Sequence, residues 1–196
     1  MKRDRIWEYT KAIGMAVILS LIIKASIVQA YRIPSGSMIP TLLIGDHLFA
    51  NRFIYGIRIP LFGKKFFAGK PQRGDVIIFP SPEEPDKDLI KRVIAVEGDL
   101  VEERKKEIFV NGKALSEPYV QHTDRFLSDR RDNFGPRLVP KGKVFTMGDN
   151  RDESYDSRYW GYVDMKDIKG KAFVIYWSWD RERKLPRFGR LAHLIN

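Results

Sequence analysis

The sequence contains no cysteine and only three histidines among its 196 residues. Without cysteine, neither a disulfide framework nor a thiolate zinc site is possible. His47, His122 and His193 have no convincing acidic partner nearby in the sequence, so the usual histidine base for a hydroxyl nucleophile is not indicated. No cluster of metal-ligating residues stands out, and we expect neither a metal nor another cofactor. Repeats and low-complexity tracts are also absent, and a hydrophobic share of 43% is typical of a folded domain.

What the sequence has in excess is positive charge, with a formal net charge of +10 at pH 7. Such an excess favours a polyanionic partner, either nucleic acid or the anionic face of a membrane. No helix-turn-helix, zinc-finger or aromatic RNA-binding signature accompanies the charge. We therefore expect anionic lipid, and not nucleic acid, as the partner of those basic residues that are not simply solvated.

The N-terminal segment supports the membrane interpretation. Residues 1 to 11 form a basic head, and residues 12 to 30 carry one charge, at Lys24. As a helix, residues 12 to 30 would be roughly 28 Å long, close to the thickness of a bilayer core, with Lys24 able to reach the interface. The alternative is a signal peptide cleaved after Ala30, because Val28 and Ala30 have the small-residue spacing of a cleavage site. Either way, the basic head predicts a cytoplasmic N-terminus and an extracytoplasmic body.

Beyond residue 30 the pattern changes to that of β structure. Four runs, at 46–59, 74–79, 89–96 and 171–179, are rich in β-branched and aromatic residues and bounded by glycine or proline. We predict a mainly β domain from residues 31–98 and 144–196, interrupted by a polar excursion of strands and loops at 99–143. Asn111-Gly112 predicts a hairpin within the excursion. Trp177 and Trp179 precede a basic segment, which indicates either a membrane interface or a buried pair.

The stretch IPSGSMIPTL, residues 33 to 42, places two serines on either side of a glycine. A serine hydroxyl can be activated by a neutral lysine as well as by histidine, provided that burial lowers the lysine pKa by roughly three units. Lys91 fits best, because it lies in the apolar run LIKRVIAV among Leu89, Ile90, Val93 and Ile94. The alternative is that Lys91 points to solvent from an edge strand.

Four blocks in order then carry a resemblance: RIPSGSMIPTLLIGD, RGDVIIF, IKRVIAVEGD and MGDNRDESYDSRYWG. With them, the chain resembles the bacterial type I signal peptidases, membrane-anchored serine–lysine proteases that remove signal peptides from exported proteins. The resemblance implies a signal-peptidase-like β-sheet or β-barrel catalytic domain behind one N-terminal transmembrane helix. It places the protein in the cytoplasmic membrane as a single-pass protein, with the catalytic domain on the outer face. Its implied partners are signal-peptide-bearing pre-proteins, anionic lipids and the vicinity of the export translocon.

The resemblance also implies roles for individual residues. Ser37 matches the nucleophile and Lys91 its general base. Ser35 matches the serine that forms the oxyanion hole together with the backbone N–H of Ser37, and Ser154 matches the serine that orients the lysine. Asp156 and Arg158 match a structural ion pair. The family's pockets for small side chains one and three residues before the cut, as in Ala-x-Ala, correspond to Tyr31, Ile33, Pro34, Met38, Leu42, Leu48, Ile78, Leu89 and Ile90.

Two other classes of protein share some of these features. A soluble, self-cleaving repressor-type protease would use the same serine–lysine chemistry, but the exporting N-terminus argues against it. A basic, membrane-tethered binding protein without catalysis would have no reason to place a lysine within an apolar run surrounded by these four blocks. Detergent partitioning distinguishes the first alternative, and a peptide-cleavage assay distinguishes the second.

Overall fold

The computed structural model describes residues 7–16, 28–58, 65–66 and 69–195. Residues 7 to 16 are helical (α1). Within this part of the chain, no helix is both long enough and apolar enough to cross a membrane. Most of the predicted anchor, residues 17 to 27, lies outside the described residues.

The rest of the described chain consists mainly of β-strands. They are β1 Val28–Arg32, β2 Asp46–Asn51, β3 Ile57–Arg58, β4 Lys65–Phe66, β5 Val76–Pro80, β6 Asp88–Val96, β7 Leu100–Arg104, β8 Glu107–Val110, β9 Lys113–Ala114, β10 Phe134–Leu138, β11 Lys143–Met147, β12 Val163–Asp164, β13 Gly170–Asp180, β14 Leu185–Pro186 and β15 His193–Leu194. Two short α-helices, α2 Asp129–Asp132 and α3 Ser157–Trp160, join them, together with 3₁₀ turns at Phe53–Tyr55, Arg151–Glu153, Met165–Asp167 and Phe188–Arg190.

Nine of the strands form the main antiparallel sheet, in the order β1-β2-β13-β5-β6-β11-β12 with β14 and β15 added to β13. The mainly β prediction is therefore confirmed. Strands β5, β6 and β13 correspond to three of the predicted runs, with ends that differ by one or two residues. In the first run, β2 ends at Asn51, and a 3₁₀ turn and β3 follow it. The long strand β13 pairs with both β2 and β5, so it joins the element that follows the predicted serine loop to the strands around Lys91.

The sheet begins earlier in the chain than expected. The predicted anchor ends at residue 30, whereas the structure places residues 28 to 30 in β1, with Val28 opposite Asn51 and Ala30 opposite Phe49. The alternative cleavage after Ala30 would fall inside this strand. Hydropathy alone does not separate the last turn of an apolar helix from a short apolar strand that follows it, which accounts for the difference.

The polar excursion folds into a sheet of its own, with strand order β10-β7-β8-β9. The predicted hairpin is present, since Val110 pairs with Lys113 across Asn111 and Gly112, whose φ angles of 54° and 75° suit a tight turn. This sheet is less polar inside than its sequence indicates. Its buried residues pack with β6 and β11 in one cluster, formed by Ile94, Ala95, Val101, Ile108, Val110, Val139, Phe145 and Met147.

Candidate active site

The two predicted serines lie on the loop that joins β1 to β2. Ser35 is exposed and Ser37 is partly exposed, so both are accessible from solvent. The loop turns tightly at this point, where Ile39 N donates to Gly36 O at 3.2 Å. The loop spans residues 33 to 45, and its hydrogen bonds, together with the pairing of the two strands that it joins, restrict the positions of its side chains.

Lys91 lies in the middle of β6 and is only 3% exposed. This burial excludes the alternative in which the side chain points to solvent. Burial lowers the pKa of the Lys91 ammonium group to about 8, and the nearby Asp156 carboxylate partly offsets that shift. The Nζ atom donates to Ser154 Oγ at 2.9 Å, so the side chain is held in one direction. A neutral amine is therefore accessible at mildly alkaline pH.

The absence of a side chain at Gly148 allows the serine loop to approach Ser154, the residue that binds Lys91. A β-carbon at this position would lie 2.3 Å from Ser154 Oγ and 2.4 Å from Ser37 O, so the two serines flank the same point. The next turn also holds the loop, because Asn150 N donates to Ser37 O and Asn150 Nδ2 donates to Gly36 O, each at 3.1 Å. Ser37 and Ser154 are thus neighbours across the backbone of Gly148, although they are far apart in the chain.

Asp156 and Arg158 form a buried ion pair, with Arg158 Nε 2.9 Å from Asp156 Oδ1 and Nη2 3.0 Å from Oδ2. Asp156 is also the N-cap of α3 and accepts the backbone N–H of Arg158. Its Oδ2 atom accepts a further hydrogen bond from Gly148 N at 3.1 Å. The ion pair therefore fixes the backbone at Gly148, which lies between Ser37 and Ser154.

A second buried ion pair has no counterpart among the residues predicted from the sequence. Arg92 and Asp149 are each 1% exposed in their side chains and approach to 2.7 Å. Thr41 Oγ1 donates to Asp149 Oδ2 at 2.6 Å, and the guanidinium carbon of Arg92 lies 3.8 Å from the ring centroid of Tyr119. Successive strand residues point to opposite faces, so Arg92 ties the serine loop to β6 from the face opposite Lys91. The position of Asp149 within one of the four sequence blocks is the signal that could have found it.

The C-terminal segment supports the same loop. Asp46, fully buried at the start of β2, accepts hydrogen bonds from Ser178 Oγ at 2.6 Å and from Arg190 Nη2 at 2.6 Å. Arg190 Nη2 also donates to Thr41 O at 2.8 Å, and Leu43 N donates to Asp46 Oδ2 at 2.8 Å. The second half of the serine loop is therefore attached to the end of the chain.

The predicted pocket residues separate into two groups. Most of them belong to one core cluster, with Tyr31 and Ile90 at its partly buried edge, and Leu42, Leu48 and Ile78 have no exposed surface. Pro34 is exposed, and Leu89 packs against a different cluster that contains Phe79. The accessible members of the predicted set are therefore Tyr31, Pro34, Leu89 and Ile90, while Ile33, Met38, Leu42, Leu48 and Ile78 are core residues.

One histidine has an acidic neighbour that the sequence did not reveal. His122 Nδ1 lies 3.6 Å from Asp152 Oδ1, in a network that includes Lys106. Burial lowers the pKa of His122. The carboxylate is already bonded to Lys106 Nζ at 3.0 Å, so the network has the character of a structural ion cluster and not of a base aimed at a serine.

The site thus combines an accessible serine on a hydrogen-bonded loop with a buried amine of lowered pKa, linked through Ser154 and Gly148 and carried on a mainly β fold. A serine and a neutral amine are the groups that a serine–lysine hydrolase uses. The family model described as Signal peptidase, peptidase S26 matches residues 6–177. The chain belongs to this family and is a peptidase of it, which confirms the resemblance carried by the four blocks.

Two relatives, of Pseudomonas fluorescens and Aquifex aeolicus, agree with the family match. The chain is 36% identical to a signal peptidase I of Pseudomonas fluorescens over 97% of this chain and 80% of that protein. It is 35% identical to a signal peptidase I of Aquifex aeolicus, over 84% of this chain and 81% of that protein. It is also 36% identical to a signal peptidase I of Enterococcus faecalis of known crystal structure, with a TM-score of 0.45 over 53% of this chain and 97% of that one.

Proposed function

We propose that the protein removes signal peptides from exported pre-proteins, with Ser37 as the nucleophile and Lys91 as its general base. One observation carries the proposal. Lys91 is buried in an apolar strand, has a lowered pKa and donates a hydrogen bond to Ser154 Oγ. Ser154 Oγ and the backbone oxygen of Ser37 both lie beside Gly148. Such a lysine can accept a proton from a serine hydroxyl at a pH where an exposed lysine cannot.

In the first half of the reaction, Ser37 Oγ attacks the carbonyl carbon of the scissile bond while Lys91 Nζ accepts the hydroxyl proton. Ser154 Oγ holds one N–H of the amine, so the nitrogen lone pair is free to point toward Ser37. The lysine ammonium then gives its proton to the leaving amine, and an acyl-enzyme on Ser37 remains. Water, deprotonated by the same lysine, hydrolyses the acyl-enzyme in the second half of the reaction.

Both tetrahedral intermediates need stabilisation of a negative oxygen. The Ser35 hydroxyl and the backbone N–H of Ser37 are the proposed donors, and one such donor contributes about 3 kcal/mol to the transition state. The exposure of Ser35 and its position two residues before Ser37 on the same tight loop support this role.

The proposed substrates carry small side chains one and three residues before the cut. Shallow apolar pockets admit alanine and exclude larger groups by steric clash. We infer that such walls are formed by Tyr31, Leu89 and Ile90. Their partial exposure beside the core clusters supports this role. The fully buried members of the predicted set, Leu42, Leu48 and Ile78, pack beneath these walls and fix their shape.

We also propose that the predicted anchor, from residue 12 up to the start of β1 at residue 28, holds the protein in the cytoplasmic membrane, with the basic head inside and the catalytic domain outside. The apolar sequence of this segment supports the anchor. Trp177 and Trp179, 37% and 39% exposed, precede a basic segment and are suited to contact the lipid interface. Anionic lipids and the surroundings of the translocon are the expected partners, and nucleic acid is not.

The test is cleavage of a precursor or signal-peptide substrate by purified variants. Ser37→Ala and Lys91→Ala are each expected to abolish turnover while the protein remains folded. Lys87→Ala is the matched control, because this lysine precedes the same strand but its side chain is 68% exposed. Turnover that survives in folded Ser37→Ala or Lys91→Ala would contradict the assignment.

A further inference from the structure

A buried carboxyl group on the second sheet has no role in the reaction described above. Glu103, in β7, has a fully buried side chain. Within the described part of the chain, neither of its carboxylate oxygens has a hydrogen-bond partner. A buried carboxylate without hydrogen bonds is costly unless a charge nearby compensates it. Burial raises the pKa of Glu103 to about 7, with Arg158 and Arg151 opposing that shift.

The compensating charge is that of Arg158, whose Nη1 atom lies 3.8 Å from Glu103 Oε1. The adjacent strands contribute apolar residues opposite Glu103, namely Phe134 on β10 and Ile108 on β8. The charged groups that act on Glu103 come from α3 and its N-cap, from the 3₁₀ turn before it and from α2: Arg158, Asp156, Arg151 and Asp132. Glu103 thus approaches the Asp156–Arg158 pair through Arg158, while Asp156 of the same pair accepts the hydrogen bond of Gly148 N.

The ion pair acts on Lys91 in two ways. The charge of Arg158 lowers the pKa of Lys91, and the charge of Asp156 raises it. In addition, Asp156 holds Gly148 N, which lies between the two serines of the site. Any group that changes the net charge beside Arg158 therefore changes the field at the lysine amine, and the low dielectric of the interior transmits that change well.

We propose that Glu103 is a positioning residue for the peptidase reaction, which sets the net charge around the Asp156–Arg158 pair and thereby the basicity of Lys91. The inference rests on the proposed function of Lys91. When Glu103 is ionised it offsets the charge of Arg158, so Lys91 holds its proton more tightly. When Glu103 is neutral, the charge of Arg158 is less compensated and Lys91 loses its proton at a lower pH. The protonation state of Glu103 therefore changes the pKa of Lys91 by way of the charges around Arg158.

The experiment is kcat/KM for a signal-peptide substrate from about pH 5 to about pH 10, for the wild type and for Glu103→Gln. The amide keeps the shape of the side chain and removes its charge. The acidic limb of the profile is expected to move to lower pH by roughly half a unit, because the substitution removes one charge that Arg158 and its neighbours already compensate in part. Glu102→Gln is the matched control. Glu102 is the neighbouring residue, points to the other face of β7 and pairs with Arg104. The acidic limb of the Glu102→Gln profile should therefore stay at the wild-type pH.

A limb that stays in place in Glu103→Gln, with or without a uniform loss of rate, would overturn the inference and leave Glu103 a purely structural residue. Glu103→Met also lacks the charge and should show the same shift. If neither variant folds, the Lys91 pKa can be followed by NMR of lysine-labelled wild type through the titration of Glu103, where a single uncoupled titration of Lys91 would overturn it. Failure of the proposed function is distinguishable, because the wild type would then show no limb that depends on Lys91.

Discussion

The substitution Gly148→Ala tests whether the site depends on close approach at one backbone position. The added methyl carbon would lie 2.3 Å from Ser154 Oγ and 2.4 Å from Ser37 O, where separations below 3.0 Å essentially never occur. Both serines, or the backbone that carries Gly148, must therefore move by more than about half an ångström. Misplacement of reacting groups by about 1 Å costs about 10²-fold in rate, and loss of the Ser154 bond to Lys91 adds about 1 kcal/mol. We expect kcat/KM to fall by at least about 10²-fold.

The assay is peptide cleavage at a fixed alkaline pH, with thermal unfolding as the check on the fold. Overpacking at one site destabilises by about 1–3 kcal/mol, which a folded domain can tolerate. Gly135→Ala is the matched control, because nothing lies within 4 Å of the point that its added methyl carbon would occupy, and its rate should be unchanged. If Gly148→Ala retained activity within about threefold of wild type, less than about 1 kcal/mol in the barrier, the proposed meeting of the two serines at this position would be refuted.

Four further results are expected. The acidic limb of the wild-type kcat/KM profile should be centred near the lowered Lys91 pKa of about 8, since the base must be neutral, and a limb near 6.5 would point to histidine instead. Lys91→Arg should be inactive, because guanidinium keeps its proton, and turnover in a folded variant would remove lysine from the mechanism. Ser35→Ala should lose about 10²–10³ in kcat with little change in KM, whereas a loss confined to KM would place Ser35 in substrate binding. Asp149→Asn should cost about 3–5 kcal/mol in urea unfolding, because the buried charge of Arg92 would lose the opposing carboxylate, and an unchanged midpoint would argue against the buried pair.

Much of the site could be predicted from local sequence. Lys91 lies in a run of apolar residues long enough for one strand, and a strand that is apolar at successive positions is buried on both faces. That pattern favours a buried lysine of lowered pKa, and the structure decided against the alternative in which Lys91 points to solvent. The hairpin at Asn111-Gly112 is equally local, because only the two turn residues and their neighbours decide it. The roles of Ser35, Ser37 and Ser154 came from the resemblance to a family, and they remain predictions.

Other features depend on which elements pack against which. The run that contains Glu103 is strongly charged and indicates an exposed segment, yet Glu103 is buried because one face of β7 is covered by the segment that carries Arg158. Likewise, Arg92 gives no local sign that its partner is Asp149, more than fifty residues later in the chain. Charge pairing over such separations is decided by the sheet topology, which brings β6 and the turn after β11 side by side.

The sequence by itself therefore determined the type of fold, the strand that carries the lysine and the glycine-containing turn between the serines, because periodicity and turn chemistry act over a few residues. Only the tertiary structure decided that Gly148 lies between Ser37 and Ser154, that two buried ion pairs flank the site, and that Glu103 faces one of them. Contacts between residues distant in the chain arise when strands pair and sheets pack, and no local pattern specifies the partner that a buried charge will meet.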